Sequence, residues 1–449
     1  MAIFEPDTGI MKLARIGLIS VAGGLYLYFG LAAHLSDIFT DRCGGDFYGE
    51  YFQAMAVTRS GAGTHDHEAM MELAETLSGR DSVAPNVYPP TFTFLFSPLT
   101  AIPHRTARVL WLVLNHVWLA GTILVLRRLC WAVAKHQLSV FFSLVFFFLS
   151  ASVYFPSMEH NWQGQANLPV LFLLALALFS YLAQGRDAVG GLCLGLAIVL
   201  KFFPAVVLPF LICRRRYRLV AWTSLWCVCL AVASLSVVSI EDYLHYPFVL
   251  LDSVYIVAGN DLASSYSLVS WLGGWIRIVG LEGTTSGLIV TSLRLLPYVL
   301  FLMISWMEAR REDDASNQAL TVEVLRYWQA LLFVAFIMSK FWEHHLVFLL
   351  APIYVLATLT STNLVGKGRI RAAVAASIAI TGVPGRGNVH WMRTIAVEPG
   401  LRGLGLPVGL ATGFKFVGIL ILVLTMEFTV WRLKQSAPRR AFADGLGLV

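Results

Sequence analysis

The sequence predicts an all-α polytopic membrane protein: one integral domain over residues 1–449, with about ten to thirteen transmembrane or re-entrant helices and further helices in the outer interface. Two observations carry this. Of the 449 residues, 57% are hydrophobic and 13% charged, whereas soluble domains carry about 25% charge. The apolar residues also gather in runs, near 16–33, 109–126, 138–155, 168–183, 219–239, 284–306, 327–339, 346–360, 372–383 and 407–431. A helical span needs roughly 20 apolar residues, about 17 at the least, so the shorter runs must recruit their flanks.

The first run is long and no small-residue cleavage site follows it, so it is expected to stay as an anchor. Lys12 and Arg15 before it place the N-terminus in the cytoplasm. Alternate crossings then leave most of the 33 Lys and Arg on the cytoplasmic side, together with both termini; Arg127–Arg128, Arg214–Arg216, Arg310–Arg311 and Arg439–Arg440 are among them. This path requires two segments that enter and leave on one side. Residues 88–103 contain Pro89, Pro90, Pro98 and Pro103, which remove backbone donors and break helices; a re-entrant or interfacial element on the external side is expected. Residues 188–212 are interrupted by Lys201 and Pro204, which fits two short helices in a hairpin anchored at the cytoplasmic side. Irregular backbone at membrane depth is tolerated only where protein buries it or it lines a wet cavity, so both breaks point to a cavity. Arg105 and Arg108, left external by this path, are discordant with it.

The external segments are then 36–87, 157–166, 241–283, 340–345 and 384–406. The net charge of +6 resolves into cations between spans, and no nucleic-acid partner is expected. Six cysteines show no paired spacing in a polar loop, so neither a disulfide framework nor a zinc site is expected.

The polar residues of the external segments form four groups. A helix starting at Gly45 or Asp46 puts Asp46, Glu50 and Gln53 on one face, with Asp46 at the positive helix N-terminus. An ordinary capped interfacial helix explains this too, but a carboxylate just beyond the first span is also placed to accept a proton from a hydroxyl. The stretch EHNWQGQANLP offers Glu159, His160, Asn161, Gln163, Gln165 and Asn167; such amides cap helices or hold sugar hydroxyls, to which they can both donate and accept. Lys201, a dozen residues inside an apolar run, calls for a partner, and a phosphate head group suits it. The sequence SKFWEHHLVFLLAP sets Glu343, His344 and His345 at a helix start. No third and fourth metal ligands accompany the histidines, and hydrogen bonding to a phosphate requires none. The segment 241–283 alternates aromatic and apolar residues, as an amphipathic stretch in the interface does.

Taken in order, GGDFYGEYFQAM, VYPPTFTFLFSPLTAIP, GQANL, GLCLGLAIVLKFFPAVVLPFLICRRRYR and WEHHLVFLLAP resemble glycosyltransferase family 87, the bacterial polyprenol-phosphate-mannose-dependent mannosyltransferases and their arabinofuranosyl relatives with the GT-C fold. The resemblance runs from residue 46 to about 352. It implies Asp46 as catalytic base. It maps the YPP element to Tyr88, Pro89 and Pro90, the GQ loop to Gly164, Gln165 and Asn167, the broken-helix lysine to Lys201 and the histidine pair to His344 and His345, all as substrate-binding positions; Glu50, Tyr51 and Gln163, their neighbours in the same segments, are further substrate-binding candidates. Ser265, Tyr266, Ser267 and Leu268 stand where members often carry an Asn-rich stretch; Ser267 is retained as a candidate contact, and the departure leaves sugar and acceptor preference open. The implied activity is inverting transfer of one sugar, mannose or arabinofuranose, from a polyprenyl-phosphate donor to a glycolipid or glycan acceptor outside a bacterial cytoplasmic membrane, with membrane lipids as surroundings and no metal or cofactor. The rival class is a transporter or flippase, which also uses broken helices and intramembrane charge but builds them from repeats at the midplane; no repeat is evident. A polymerase or ligase of lipid-linked glycans would present large arginine-bearing external loops.

Overall fold

The computed structural model describes residues 9–42, 45–81, 83–84, 86–260, 267–268, 284–311, 317–338, 341–361, 367–382 and 406–445. Among them there is no strand. The chain opens with α1 (Gly9–Leu25), continued through a π-helical turn (Tyr26–Ala32) into α2 (Ala33–Phe39). The first external segment contributes α3 (Gly45–Ser60) and α4 (His67–Ser78), and the proline-rich segment forms only the short α5 (Pro90–Phe96) and a 3-10 turn (Ser97–Ala101). Then follow α6 (His104–Ala134), α7 (Val140–Ser152), α8 (Phe155–Gln163), α9 (Asn167–Ala183), α10 (Asp187–Leu200), α11 (Val207–Cys213) and α12 (Tyr217–Ser234). The rest comprises α13 (Ile240–Asn260), α14 (Thr284–Arg311), α15 (Asn317–Leu332), α16 (Val334–Ile337), a 3-10 helix (Glu343–Leu349) leading into α17 (Leu350–Leu359), α18 (Lys367–Gly382) and α19 (Leu406–Gly445). Residues 384–405 of the expected external segment 384–406, and most of 261–283 with Ser265 and Tyr266, lie outside the described residues.

Each of the ten apolar runs falls mainly on helix, as an all-α polytopic membrane protein requires. Among the described residues, five stretches are long and apolar enough to cross a membrane on their own: Met11–Phe39, His104–Ala134, Tyr217–Ser234, Gln318–Ile337 and Lys415–Gln435. The pair α7 and α8, bent by 57°, makes a sixth if taken as one span. Inside the bundle α9, the α10–α11 pair and Glu343–Leu359 are shorter apolar helices, interrupted where polar side chains converge. The outer helices face lipid. Along α6, Leu110, Val113, Val117 and Leu124 are exposed while Trp111, Leu112, Leu119, Ile123 and Leu126 are buried. An apolar stripe left bare on a helix is stable only where the solvent is hydrocarbon.

The core has two parts. The larger joins α6, α9, α10, α11, α15, α17 and α19 around Leu171, Leu178, Leu194, Trp328 and Leu356. The smaller is an aromatic cap formed by the first external segment: Phe47, Tyr51 and Phe52 of α3 pack with Tyr88, Phe92, Phe96 and the start of α6 at Trp111 and Leu112. This cap seats α3 on one end of the bundle. At the other end Arg214, Arg216 and Arg326 pair with Glu308 and Glu323, with Arg214 Nη2 2.6 Å from Glu323 and Arg326 Nη2 2.7 Å from Glu308. Lys434 reaches Glu308 at 2.8 Å, and Arg326 also binds Glu427. Helix α9 touches both ends. Asn167 belongs to the polar cluster beside α3, and Tyr181 approaches Glu323 at 3.5 Å; at 1.5 Å per residue the two lie ~21 Å apart along the axis.

Candidate active site

Helix α3 begins where the sequence places it, with Asp46 in its first turn. Its carboxylate there profits from the unpaired N–H groups of the helix start. Helix α8 ends in Gly164, whose φ of +76° lies in the left-handed region. A Cβ there would also come within 2.6 Å of Phe47 Cβ, so only glycine serves both the turn and the packing. The turn delivers Gln165, and α9 starts at Asn167. Helix α10 stops at Leu200 because Pro204 cannot continue it; Lys201 is extended (φ −150°, ψ 127°) and its side chain leaves the helix.

These three breaks meet. Gln165 Nε2 donates to Asp46 Oδ2, while Gln165 Oε1 accepts from Lys201 Nζ at 2.8 Å and from Tyr88 Oη at 2.6 Å. Lys201 Nζ also donates to Asn167 Oδ1 at 2.6 Å and sits 5.1 Å from the centre of the Tyr88 ring. Asn167 Nδ2 donates to the His344 carbonyl at 2.9 Å. The His344 and His345 rings are 4.4 Å apart, and His345 packs against Phe203, two residues beyond Lys201. Five separated segments thus converge on one polar cluster: the α3 start, Tyr88, the 165–167 turn, the α10 break and the 343–345 turn.

Glu50, one turn after Asp46, is 7% exposed and its Oε2 has no hydrogen-bond partner. Burial, with the Asp46 carboxylate beside it, raises its carboxyl well above the ordinary value, against the pull of Lys201. The remaining predicted contacts are spent elsewhere. Tyr51 donates to the Ile102 carbonyl at 2.6 Å and lines a separate cleft of about 300 Å³ with Met55, Arg59 and His104, on another face of α3. Gln163 turns back to Glu159 at 3.0 Å, and Gln53 donates to the Gly63 carbonyl at 2.8 Å. Ser267 is fully buried.

Several residues around the cluster escape sequence reasoning. Arg108, with no exposed surface, donates to the Asn161 and Trp162 carbonyls. Trp111 Nε1 donates to Gly164 O at 2.8 Å. Lys415 of α19 is fully buried and paired with Glu343. Asp242 at the start of α13 accepts from Thr64 N at 2.7 Å and Ser239 N at 2.9 Å, which ties the first external segment to the later one. The discordant position of Arg108 beside a span start was the one available signal; Lys415 was hidden in an apolar run.

Comparison with known proteins identifies relatives of the chain. A protein of Mycobacterium tuberculosis described as a polyprenol-phosphate-mannose-dependent alpha-(1-2)-phosphatidylinositol pentamannoside mannosyltransferase is 26% identical over 407 residues, covering 87% of this chain and 84% of its own. Its counterpart of the same description in Mycolicibacterium smegmatis is 23% identical over 358 residues, covering 78% and 77%. No solved structure matches significantly. The pattern of glycosyltransferase family 87 matches residues 86–334, more than half of the 449, and takes in Tyr88, Gln165, Asn167 and Lys201. On that match the chain, a membrane glycosyltransferase, belongs to glycosyltransferase family 87.

Proposed function

We propose that the protein moves a single mannose from a polyprenyl-phosphate donor to a glycolipid acceptor, by inverting displacement at the outer face of a bacterial cytoplasmic membrane. The observation that carries this reading is the junction of Asp46 and Lys201 through Gln165: a carboxylate and an ammonium held one amide apart at the mouth of a broken helix. The donor and the glycolipid acceptor follow the descriptions of the two mycobacterial relatives. Asp46 accepts the proton of an acceptor hydroxyl, that oxygen attacks the anomeric carbon, and the bond from that carbon to the phosphate oxygen breaks with its electron pair leaving on the phosphate. Glycosidases that expel an alkoxide require a second carboxyl as acid; a phosphate departs as a stable anion, so one base suffices. Lys201, with His344 and His345 beside it, offsets the charge that grows on the phosphate, and such preorganised groups are often the largest catalytic contribution. Asn167 and Tyr88 hold the ammonium in place.

Sidedness draws on the two ends of the bundle. Arg214, Arg216, Arg326 and Lys434 gather ~21 Å along α9 from Asn167, and the positive-inside bias puts that end, with both termini, in the cytoplasm. Asp46→Asn in proteoliposomes loaded with polyprenyl-phosphate mannose and a glycolipid acceptor is expected to lower release of polyprenyl phosphate by roughly 10³-fold with unchanged helicity. Turnover at the wild-type rate removes Asp46 as base.

A further inference from the structure

We propose that Arg108 and Trp111, one turn apart on α6, are positioning residues that hold the Gly164–Gln165 turn so that the Gln165 amide stands between Asp46 and Lys201 and keeps them from closing into a direct ion pair. The inference rests on the reading of Asp46 as base. The two side chains share one face of α6 by their three-residue spacing. Together they donate to four carbonyls at the end of α8: Arg108 to Asn161 and Trp162, Trp111 to Gly164 at 2.8 Å and Gln165 at 3.3 Å. The last carbonyls of a helix have no partner of their own, and inside a membrane bundle each must find one. Capping alone would explain that much.

The same two residues also fix the other side of the hydrogen bond. The Arg108 guanidinium lies 5.3 Å over the ring of Phe47, the neighbour of Asp46, and Trp111 packs on that ring at 6.4 Å. Both partners of the Gln165–Asp46 contact are therefore referenced to a single rigid helix. The glutamine's polarity suits its place, with its oxygen toward Lys201 and Tyr88 and its nitrogen toward Asp46. Three of its four hydrogen bonds are thus made before any substrate arrives, which marks a spacer more than a sugar ligand. Were the amide to swing away, the ammonium could reach the carboxylate directly, and a paired carboxylate is a weaker base. Around Asp46 the titratable and charged groups are Glu50 on its own helix, Tyr88 before α5 and Lys201 at the α10 break. Beyond them lie Arg108 across Phe47, and His160 and His345 behind Lys201.

Trp111→Phe keeps an aromatic ring between Phe96 and Trp118 and deletes the N–H donor together with part of the indole's volume. It is expected to lower kcat about 10- to 100-fold, to leave KM for the donor within about twofold, and to move the acid limb of kcat/KM to lower pH. Gln165→Ala should show the same shift, and the double variant should be no worse than Gln165→Ala alone, since the clamp acts through that amide. A Trp111→Phe protein that melts earlier but keeps kcat and the acid limb, or additive losses in the double variant, would overturn the inference in favour of capping alone. A structure of Trp111→Phe decides it without turnover: the amide should have left Asp46 and Lys201 should have closed on the carboxylate, and unchanged placement refutes the clamp. Failure of the wild type to release polyprenyl phosphate from any donor would instead count against the proposed function, and the structural readout would still decide the clamp.

Discussion

The two polar ends of the bundle hold buried charge in different ways. At the Arg326 end, guanidinium and carboxylate groups from α11, α14, α15 and α19 meet directly, and Glu308 and Glu323 each serve more than one cation. At the Asp46 end one ammonium and one carboxylate are kept apart by a neutral amide, Asn167 and Tyr88 supply the rest of the shell, and Glu50 keeps an oxygen without a hydrogen bond. Direct pairs offset the cost of burying charge and stay closed. A pair held one amide apart retains electrostatic capacity that a ligand can use. The first arrangement fastens helices, and the second, on the proposed reading, is left for chemistry.

This contrast can be broken by exchanging the two lesions. Lys201→Met should lower kcat about 10²- to 10³-fold and scarcely move the melting temperature, whereas Arg326→Met, which takes one of several cations from Glu308 and the guanidinium from the half-exposed Glu427, should cost about 1.5–3 kcal/mol of stability and leave the specific activity of the folded fraction intact. Unfolding titrations paired with turnover measure both; a stability loss from Lys201→Met with activity retained would reverse the assignment. Glu50 sharpens the comparison. Its folded carboxyl is raised, so between about pH 4.3 and that raised value the folded state holds a proton that the unfolded state releases, and stability falls as pH rises through that window. Glu50→Gln should remove this slope and retain most of the turnover, since an amide imitates the neutral acid; a variant as inactive as Asp46→Asn would make Glu50 a base instead. The smallest effect is expected at Asp242. Burial alone would raise its carboxyl, but hydrogen bonds from Thr64 and Ser239 outweigh this and hold it lowered. Its contribution is therefore complete above about pH 3.9 and lost as pH falls through the lowered folded value. Asp242→Asn should flatten the melting curve against pH in that acid range.

The sequence made the members of the cluster legible more readily than their partners. Asp46, Gln165, Lys201 and the His344, His345 pair stand out because a polar side chain beside an apolar run is costly and calls for a reason. The breaks at 88–103 and at Lys201 were equally visible, since proline chemistry is local. Periodicity, however, gives a helix face and not what covers it. Tyr51 and Gln163 share segments with true members of the cluster, yet one caps the Ile102 carbonyl and the other folds back on Glu159. Arg108, Trp111 and Lys415 act through groups fifty or more residues away, and no window along the chain holds both halves of those contacts. Hydropathy has the same limit: whether a short apolar helix crosses alone or packs inside depends on neighbours that a hydropathy run does not record.

Gly164 sets a limit on how this enzyme can be redesigned. With its backbone left-handed and Phe47 and Arg108 pressed against its α-carbon, saturation libraries over residues 159–167 should return glycine alone at that position.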